Sequence, residues 1–170
     1  MRSTDDKAAR GGFTLVEILI TLAILGILLT IAVGNFGGIN EKYKVEAETK
    51  QLYADLMDAR GRAMQRNRIS FVQIGNNGYR TVEDSNPAPD GDTNLTAGDT
   101  QVANVTVDHQ ITTTGGLSDF RFNRNGIASV TTGFIRLSST AQPDYDCITI
   151  TATRIKMGQY DATGNTCAER

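Results

Sequence analysis

The stretch Gly11–Phe36, "GGFTLVEILITLAILGILLTIAVGNF", determines how the rest of the chain is interpreted, because it is apolar almost throughout. Its only charged residue is Glu17. As an α-helix, residues 13–36 would extend about 36 Å, enough to cross a hydrocarbon core about 30 Å thick. A carboxylate in such a segment costs about 2.5–3.5 kcal/mol at the bilayer centre and less near the surface. We therefore expect Glu17 to have a partner or a specific task.

The residues before the apolar stretch indicate its orientation. The flank "MRSTDDKAARGG" contains three basic residues and two acidic ones. An excess of Lys and Arg favours retention of a flank in the cytoplasm, so we predict that the chain after residue 36 lies outside it. An ordinary secretory signal is a poorer fit, because the apolar run is too long and has no small-residue cleavage site at its end.

The composition of the protein is that of a single folded domain with a terminal accessory segment. It has 170 residues, a net charge of -2, one His, three Pro and no Trp. This small charge gives no reason to expect nucleic-acid binding by the bulk of the protein. The many Gly, Thr and Asn residues, with so few Pro, favour a β-rich body over a disordered tail.

Two further patterns predict an α+β fold. An apolar stripe at helical spacing extends the helix to about Asn67, and its members are Val45, Leu52, Leu56, Ala59 and Ala63. After the helix come short β-rich runs separated by turn sequences such as "GNNG" and "NRNG". These runs are "ISFVQIG", "GYRTV", "QVANVTV", "FRFN", "GIASV", "GFIRLS" and "YDCITIT", and they predict an antiparallel sheet.

The N-terminal segment resembles the class III signal of type IV pilins and type II secretion pseudopilins. The residues that match are Gly11, Gly12 and the run "GFTLVEILITLAILGIL". The resemblance implies that a prepilin peptidase cuts after Gly12 and methylates the new N-terminus at Phe13. It also implies an assembly role for Glu17, which in a filament would neutralise the amino group of Phe13 on a neighbouring subunit. The alternative is a plain membrane anchor with an incidental acid.

The body of the protein resembles the H-type pseudopilins and the related FimT-like minor pilins. The matching runs are "LYADLMDARGRAMQRNRISFVQI", "FRFNRNGIAS" and "CITITATRIKMG". The resemblance implies a pilin-like fold, in which a long N-terminal transmembrane helix packs on an antiparallel β-sheet body. It divides the sequence into a leader (1–12), a transmembrane and assembly helix (13–36), an amphipathic helix stem (37–67) and a β-rich globular domain (68–170).

The function implied by this resemblance is that of a minor pseudopilin or pilin subunit of a type II secretion system or type IV pilus. The protein would cross the bacterial inner membrane once, with its globular domain in the periplasm. Its partners would be prepilin peptidase, the inner membrane and other pilins or pseudopilins, which it would contact through the N-terminal helix. A membrane-anchored adhesin that never polymerises is a further alternative.

A DNA-binding minor pilin of natural transformation is the main alternative function. FimT-like pilins that bind DNA have a basic C-terminal motif, GRxR, and "ATRIKMG" resembles it with Arg154 and Lys156 as the two cations and Thr153 in place of the glycine. Alternate positions on a strand would put both cations on one face, where they could contact phosphates. Two charges make a weak site, and a solvated strand face is the competing interpretation.

The two cysteines, Cys147 and Cys167, predict a disulfide. They would lie outside the cytoplasm, where disulfides persist, and a bridge between them could stabilise the C-terminal region by about 3 kcal/mol. Two free thiols or a pair of metal ligands are the alternatives, but no His or further Cys accompanies them.

The acidic run "EDSNPAPDGDTNLTAGD" is a partial match to a calcium loop. Asp90, Asp92 and Asn94 supply oxygens at alternate positions, but the bidentate glutamate that closes an EF-hand is absent. We expect a solvated acidic loop without metal, and no cofactor elsewhere in the protein.

Nothing in the sequence indicates catalysis. His109 is the only histidine, and no Ser or Cys nucleophile in a recognisable motif accompanies it. We expect this histidine on the surface or on an edge strand. The carboxylates likewise form no defined acid–base pair, so the protein is predicted not to be an enzyme.

Replacement of Gly12 by a bulky residue should leave uncleaved precursor, because a protease that cuts beside a small residue needs room at its active site. Mass spectrometry of protein extracted from membranes measures the position of the N-terminus. An intact leader in the wild-type protein, or an N-terminus beyond the apolar run, would contradict the class III interpretation.

Overall fold

A computed structural model describes residues 12–89 and 91–170, without the side chains of residues 31–37. The predicted leader up to residue 11, the calcium candidate Asp90 and the side chains of residues 31–36 in the predicted transmembrane segment therefore lie outside the described residues. The protein divides into two compact units, one that ends at Gly38 and a second that covers Ile39–Arg170.

A single helix, α1, spans Leu15–Arg66. A threonine hydroxyl caps its first turn, since the Glu17 N–H donates to the Thr14 Oγ1 at 3.2 Å. At the other end, Asn67 adopts a left-handed conformation with a φ of 54°. The Arg68 N–H then donates to the Ala63 carbonyl at 3.1 Å, which closes the helix in a Schellman motif. The helix ends one residue before the predicted position.

Two antiparallel sheets make up the rest of the second unit. The first has four strands in the order β3-β2-β1-β5, where β1 is Ser70–Gly75, β2 is Gly78–Glu83, β3 is Thr100–Thr106 and β5 is Asp119–Phe122. The second has five strands in the order β4-β6-β7-β8-β9. Its strands are β4 (Ile111–Thr113), β6 (Thr132–Leu137), β7 (Cys147–Thr151), β8 (Ile155–Asp161) and β9 (Thr166–Glu169).

One hydrophobic core joins the helix to both sheets. All five residues of the predicted helix stripe are at most 1% exposed, and they pack with strand residues such as Val72, Phe122, Ile135 and Ile148. Burial stabilises a folded protein by about 1.5–3 kcal/mol for each leucine or isoleucine, so this stripe is a main source of stability for the body. The α+β, pilin-like architecture predicted from the sequence is confirmed.

The run "GIASV", predicted as a strand, is irregular in the structure. The Oδ1 of Asn123 accepts the N–H groups of Asn125 and Ile127, and Gly126 has a φ of 71°, so the backbone turns there instead of extending. Only Ala128 forms a bridge, with Phe122. Two short strands, β4 and β9, were not predicted because neither has enough residues for a clear alternating pattern.

Among the residues that the structure describes, no helix has both the length and the apolar character needed to cross a membrane.

The predicted disulfide between Cys147 and Cys167 is present, with an S–S distance of 1.99 Å. It links β7 to β9 across the intervening strand β8, whose Gly158 lies beneath it. A Cβ at Gly158 would approach the Cys167 sulfur to 3.0 Å and the Ala168 carbonyl oxygen to 2.3 Å. The bridge and the glycine therefore fit together, and the bridge secures the edge strand of the sheet.

Replacement of both cysteines by alanine should lower the free energy of unfolding by about 3 kcal/mol, because the bridge closes a loop with a sequence separation of 20. Denaturant unfolding of the full-length protein in detergent measures the difference, and the wild-type protein under reducing conditions is the control. A change below about 1 kcal/mol would contradict the stabilising role.

Candidate assembly site

The residues that the sequence singled out for processing and assembly lie at the start of α1: Gly12 and Phe13 precede the helix, and Glu17 is in its first turn. Glu17 lies three residues after the capping Thr14, in the first turn, where the positive end of the helix dipole favours a carboxylate. Among the described residues, no donor is hydrogen-bonded to the Glu17 carboxylate. The carboxylate is therefore open to a group from another molecule.

Thr14 caps α1, a role that was not predicted from the sequence. The pattern Thr-x-x-Glu from Thr14 to Glu17 is the sequence signature of a capping box and could have predicted where the helix begins, although the structure shows only the bond to the Thr14 hydroxyl. The cap fixes the backbone of the first turn of α1, and Glu17 lies in that turn.

The apolar side chains from Phe13 to Leu29 are exposed on every side of the helix. Each is at least 50% exposed, and the residues are Phe13, Leu15, Val16, Ile18, Leu19, Ile20, Leu22, Ile24, Leu25, Ile27, Leu28 and Leu29. A helix that is apolar all round belongs in a protein core or in lipid. This segment therefore requires a cover that the described part of the protein does not provide.

The structure gives no packing reason for a glycine at position 12. An added Cβ at Gly12 would have nothing within 4 Å. A requirement for a small residue there would have to come from another molecule.

Two family comparisons agree with this geometry. The family described as type II transport protein GspH matches residues 48–153, which is more than half of the chain. The chain belongs to the GspH family. The prokaryotic N-terminal methylation motif matches residues 7–33, which include the first turn of α1. The chain thus combines a match to the GspH family with an N-terminal methylation motif.

A curated relative supports the same assignment. The chain is similar to the type II secretion system core protein G of Aeromonas hydrophila, with 32% identity over 77 residues. The match covers 45% of this chain and 47% of the relative, so the chain spans about half the length of the curated relative that it matches. No solved structure matches the chain.

The two basic residues proposed as DNA contacts, Arg154 and Lys156, are both exposed and lie on either side of the buried Ile155. Arg154 lies before β8, in the turn that the Thr151 N–H closes by donating to the Arg154 carbonyl at 2.8 Å. Lys156 lies within β8 and forms an ion pair with Glu169. The predicted placement of both cations on one strand face stays a prediction.

Two carboxylates of the acidic run accept hydrogen bonds from the backbone of the same run, which was not predicted from the sequence. Asp84 is fully buried and accepts the N–H groups of Asp92 and Thr93 at 3.1 and 2.9 Å. Asp99 accepts backbone N–H groups of Ser85 and Thr96 at 3.0 and 2.7 Å. The expectation of a solvated loop is wrong for these two residues, which act as structural acceptors.

Two of the calcium candidates, Asp92 and Asn94, are among the described residues, and they hydrogen-bond to each other. The Oδ1 of Asp92 accepts the Asn94 N–H at 2.9 Å, and the Asn94 amide donates to the Asp92 carbonyl. Within the described residues, no group of three or more His, Cys, Asp or Glu side chains could hold a metal ion.

His109 was expected on the surface or on an edge strand, but it lies in the loop between β3 and β4 and is only 8% exposed. Its Nδ1 lies 2.7 Å from the Glu48 Oε2, and its Nε2 lies 2.8 Å from the Glu41 Oε1. Glu48 also accepts the Asp108 N–H at 2.9 Å. The histidine therefore ties the loop between β3 and β4 to two turns of α1.

Protonation of His109 strengthens this link. A neutral imidazole can donate only one hydrogen bond, whereas the imidazolium can donate to both carboxylates. Burial lowers the pKa of His109, but the hydrogen bonds to Glu48 and Glu41 outweigh burial and raise the pKa above its ordinary value. The bond to His109 is also the main reason that the pKa of Glu41 is lowered.

Replacement of His109 by Gln should destabilise the protein more at pH 5.5 than at pH 9. Because the pKa of His109 is raised on folding, its contribution is present below the unfolded pKa of about 6.5 and is lost as the pH rises through the folded value. Denaturant unfolding at both pH values measures the difference from wild type.

The exposed neighbour Gln110 provides a control, and Gln110→Ala should change stability equally at the two pH values. A His109→Gln effect that is constant with pH, or that grows as the pH rises, would contradict the role of the imidazolium.

Proposed function

We propose that this GspH-family protein is a minor pseudopilin that enters the inner membrane through residues 13–36 and joins a filament through its N-terminal helix. Prepilin peptidase would cut after Gly12 and methylate Phe13, and the body would lie in the periplasm. The observation that carries the proposal is the apolar helix surface from Phe13 to Leu29, exposed on every side and headed by a single carboxylate.

Lipid and other pseudopilins together provide the cover that this surface requires. Burial of apolar surface is favourable by about 25 cal/mol per Å². Covering twelve large exposed side chains in a membrane or a helix bundle would therefore lower the free energy strongly. Before assembly the lipid would cover them. In the filament, the corresponding helices of neighbouring subunits would do so.

Glu17 would select the position of a subunit in the bundle. Its partner is the amino group of Phe13 on a neighbouring subunit, which stays cationic after methylation and lies at nearly the same depth. Opposite charges attract strongly at low dielectric, but much of this energy offsets their desolvation. The pairing would therefore affect register and recruitment more than the folding of the body.

A simpler role for Glu17 is stabilisation of its own helix. A carboxylate in the first turn contributes about 0.3–1 kcal/mol through the helix dipole. Such a small effect would leave assembly nearly intact when Glu17 is replaced, so the two roles predict different results.

A secretion filament is a better proposal than a DNA-binding pilus. The family match to type II transport proteins supports it, as does the similarity to a type II secretion core protein. DNA binding by Arg154 and Lys156 stays a prediction, and the ion pair of Lys156 with Glu169 does not favour it.

Glu17→Ala and Glu17→Gln should each insert, be cleaved and fold, but their incorporation into the filament should fall at least about tenfold, because each loses the charge that recruits the subunit. Cross-linking to other pilin-like subunits in native membranes, relative to wild type, measures incorporation.

Thr21→Ala is the matched control, since it changes the same exposed helix without removing a charge. Wild-type levels of cross-linking for both Glu17 variants would refute the charge pairing and would favour the simple anchor.

A further inference from the structure

A polar cavity of about 520 Å³ lies at one end of the second sheet. It is bordered by β6, β8 and the loop that follows β6, and its lining includes Arg136, Asp146 and Tyr160. Its volume is within the range of ligand pockets, which is about 300–1,000 Å³. All of these residues belong to the second unit and take no part in the assembly site.

Arg136 is the unusual group in this cavity. Its guanidinium carbon lies 3.7 Å from the centre of the Tyr160 ring, so the aromatic face orients it. Its Nε is buried and has no hydrogen-bond partner. Within the described residues, the Arg136 side chain makes no hydrogen bond or ion pair, although a guanidinium carries five N–H donors.

Two carboxylates, Asp146 and Asp161, line the same cavity, and each accepts a backbone N–H. Asp146 accepts the Tyr160 N–H at 2.6 Å, and Asp161 accepts the Thr163 N–H at 2.9 Å. Neither forms an ion pair with Arg136 among the described residues. Burial raises the pKa of Asp146, although the hydrogen bond from the Tyr160 N–H and the charge of Arg136 act in the opposite direction.

A ligand that fits this site therefore needs a planar hydrogen-bond acceptor for the Arg136 guanidinium. It also needs further polar groups that fill the rest of the cavity. A carboxylate matches the guanidinium fork with two parallel hydrogen bonds. A carboxylate alone would leave much of the cavity empty. The side chains of Thr140 and Gln142 also line it and make no hydrogen bond to another described residue, so they are available to peptide groups.

We propose that this cavity binds an Asp or Glu side chain on a segment of another polypeptide, with Arg136 as the ionic contact. Tyr160 holds the guanidinium in place, and Thr140 and Gln142 contact the backbone of the bound segment. The site is independent of the N-terminal helix, so Glu17→Ala should leave it unchanged even if that variant no longer assembles.

The test uses the full-length, ¹⁵N-labelled protein in detergent and two small probes. Acetyl-glutamate amide presents the carboxylate, and acetyl-glutamine amide has the same shape without the charge. We expect the glutamate probe alone to shift the Arg136 Nε–H resonance saturably. Acetylglycine and sulfate test whether a C-terminal carboxylate or an inorganic anion is preferred, and stronger binding of either would overturn the assignment to an acidic side chain.

Arg136→Gln should weaken binding of the glutamate probe at least about tenfold, because it removes the charge-assisted hydrogen bonds. Arg136→Lys keeps the charge but loses the planar fork, and it should bind with intermediate affinity. Unchanged backbone amide resonances of β1 and β2, which lie in the other sheet, establish that each variant is folded. Arg124→Gln, which removes an exposed arginine outside the cavity, should bind as wild type. An equal response to the glutamine probe, or unchanged binding by folded Arg136→Gln or Arg136→Lys, would overturn the proposal.

Discussion

The burial of one stripe of α1 against the strands is the contact on which the body of this protein depends. Leu52 and Leu56 are fully buried there and pack with residues of both sheets. The two sheets have separate hydrogen-bond ladders, so this shared core is what makes them one unit. The link from His109 to Glu41 and Glu48 and the disulfide across β8 add constraints at the periphery of the same core.

The same helix begins with a surface of the opposite kind. Its N-terminal residues are apolar and exposed, while its later residues alternate between a buried stripe and polar faces. The two parts of α1 therefore differ: apolar residues between 45 and 63 pack in the core of the body, whereas the large apolar side chains of residues 13–29 are exposed. The two family matches follow the same division, since the GspH family matches residues 48–153 and the N-terminal methylation motif matches residues 7–33.

Local patterns in the sequence predicted most of the fold, and long-range pairings account for what it missed. The stripe, the end of the helix and the cysteine pair are visible as spacing and residue type. His109 was misplaced because its partner Glu41 lies 68 positions away, a distance over which no local pattern operates. The acidic loop was misjudged because Asp84 is satisfied by backbone N–H groups, and these have no sequence signature. The Thr14 cap, in contrast, has a readable signature.

The most direct test of the proposed assembly role is to identify what covers the N-terminal helix in living cells. A photoactivatable amino acid in place of Ile24, with the same probe at the exposed position Asn125 as a control, would form adducts that mass spectrometry can identify. We predict that the probe at Ile24 reacts with phospholipid and with the helices of other pilin-like subunits, and that the probe at Asn125 does not react with lipid. Adducts at Ile24 with neither lipid nor such a helix would contradict this role.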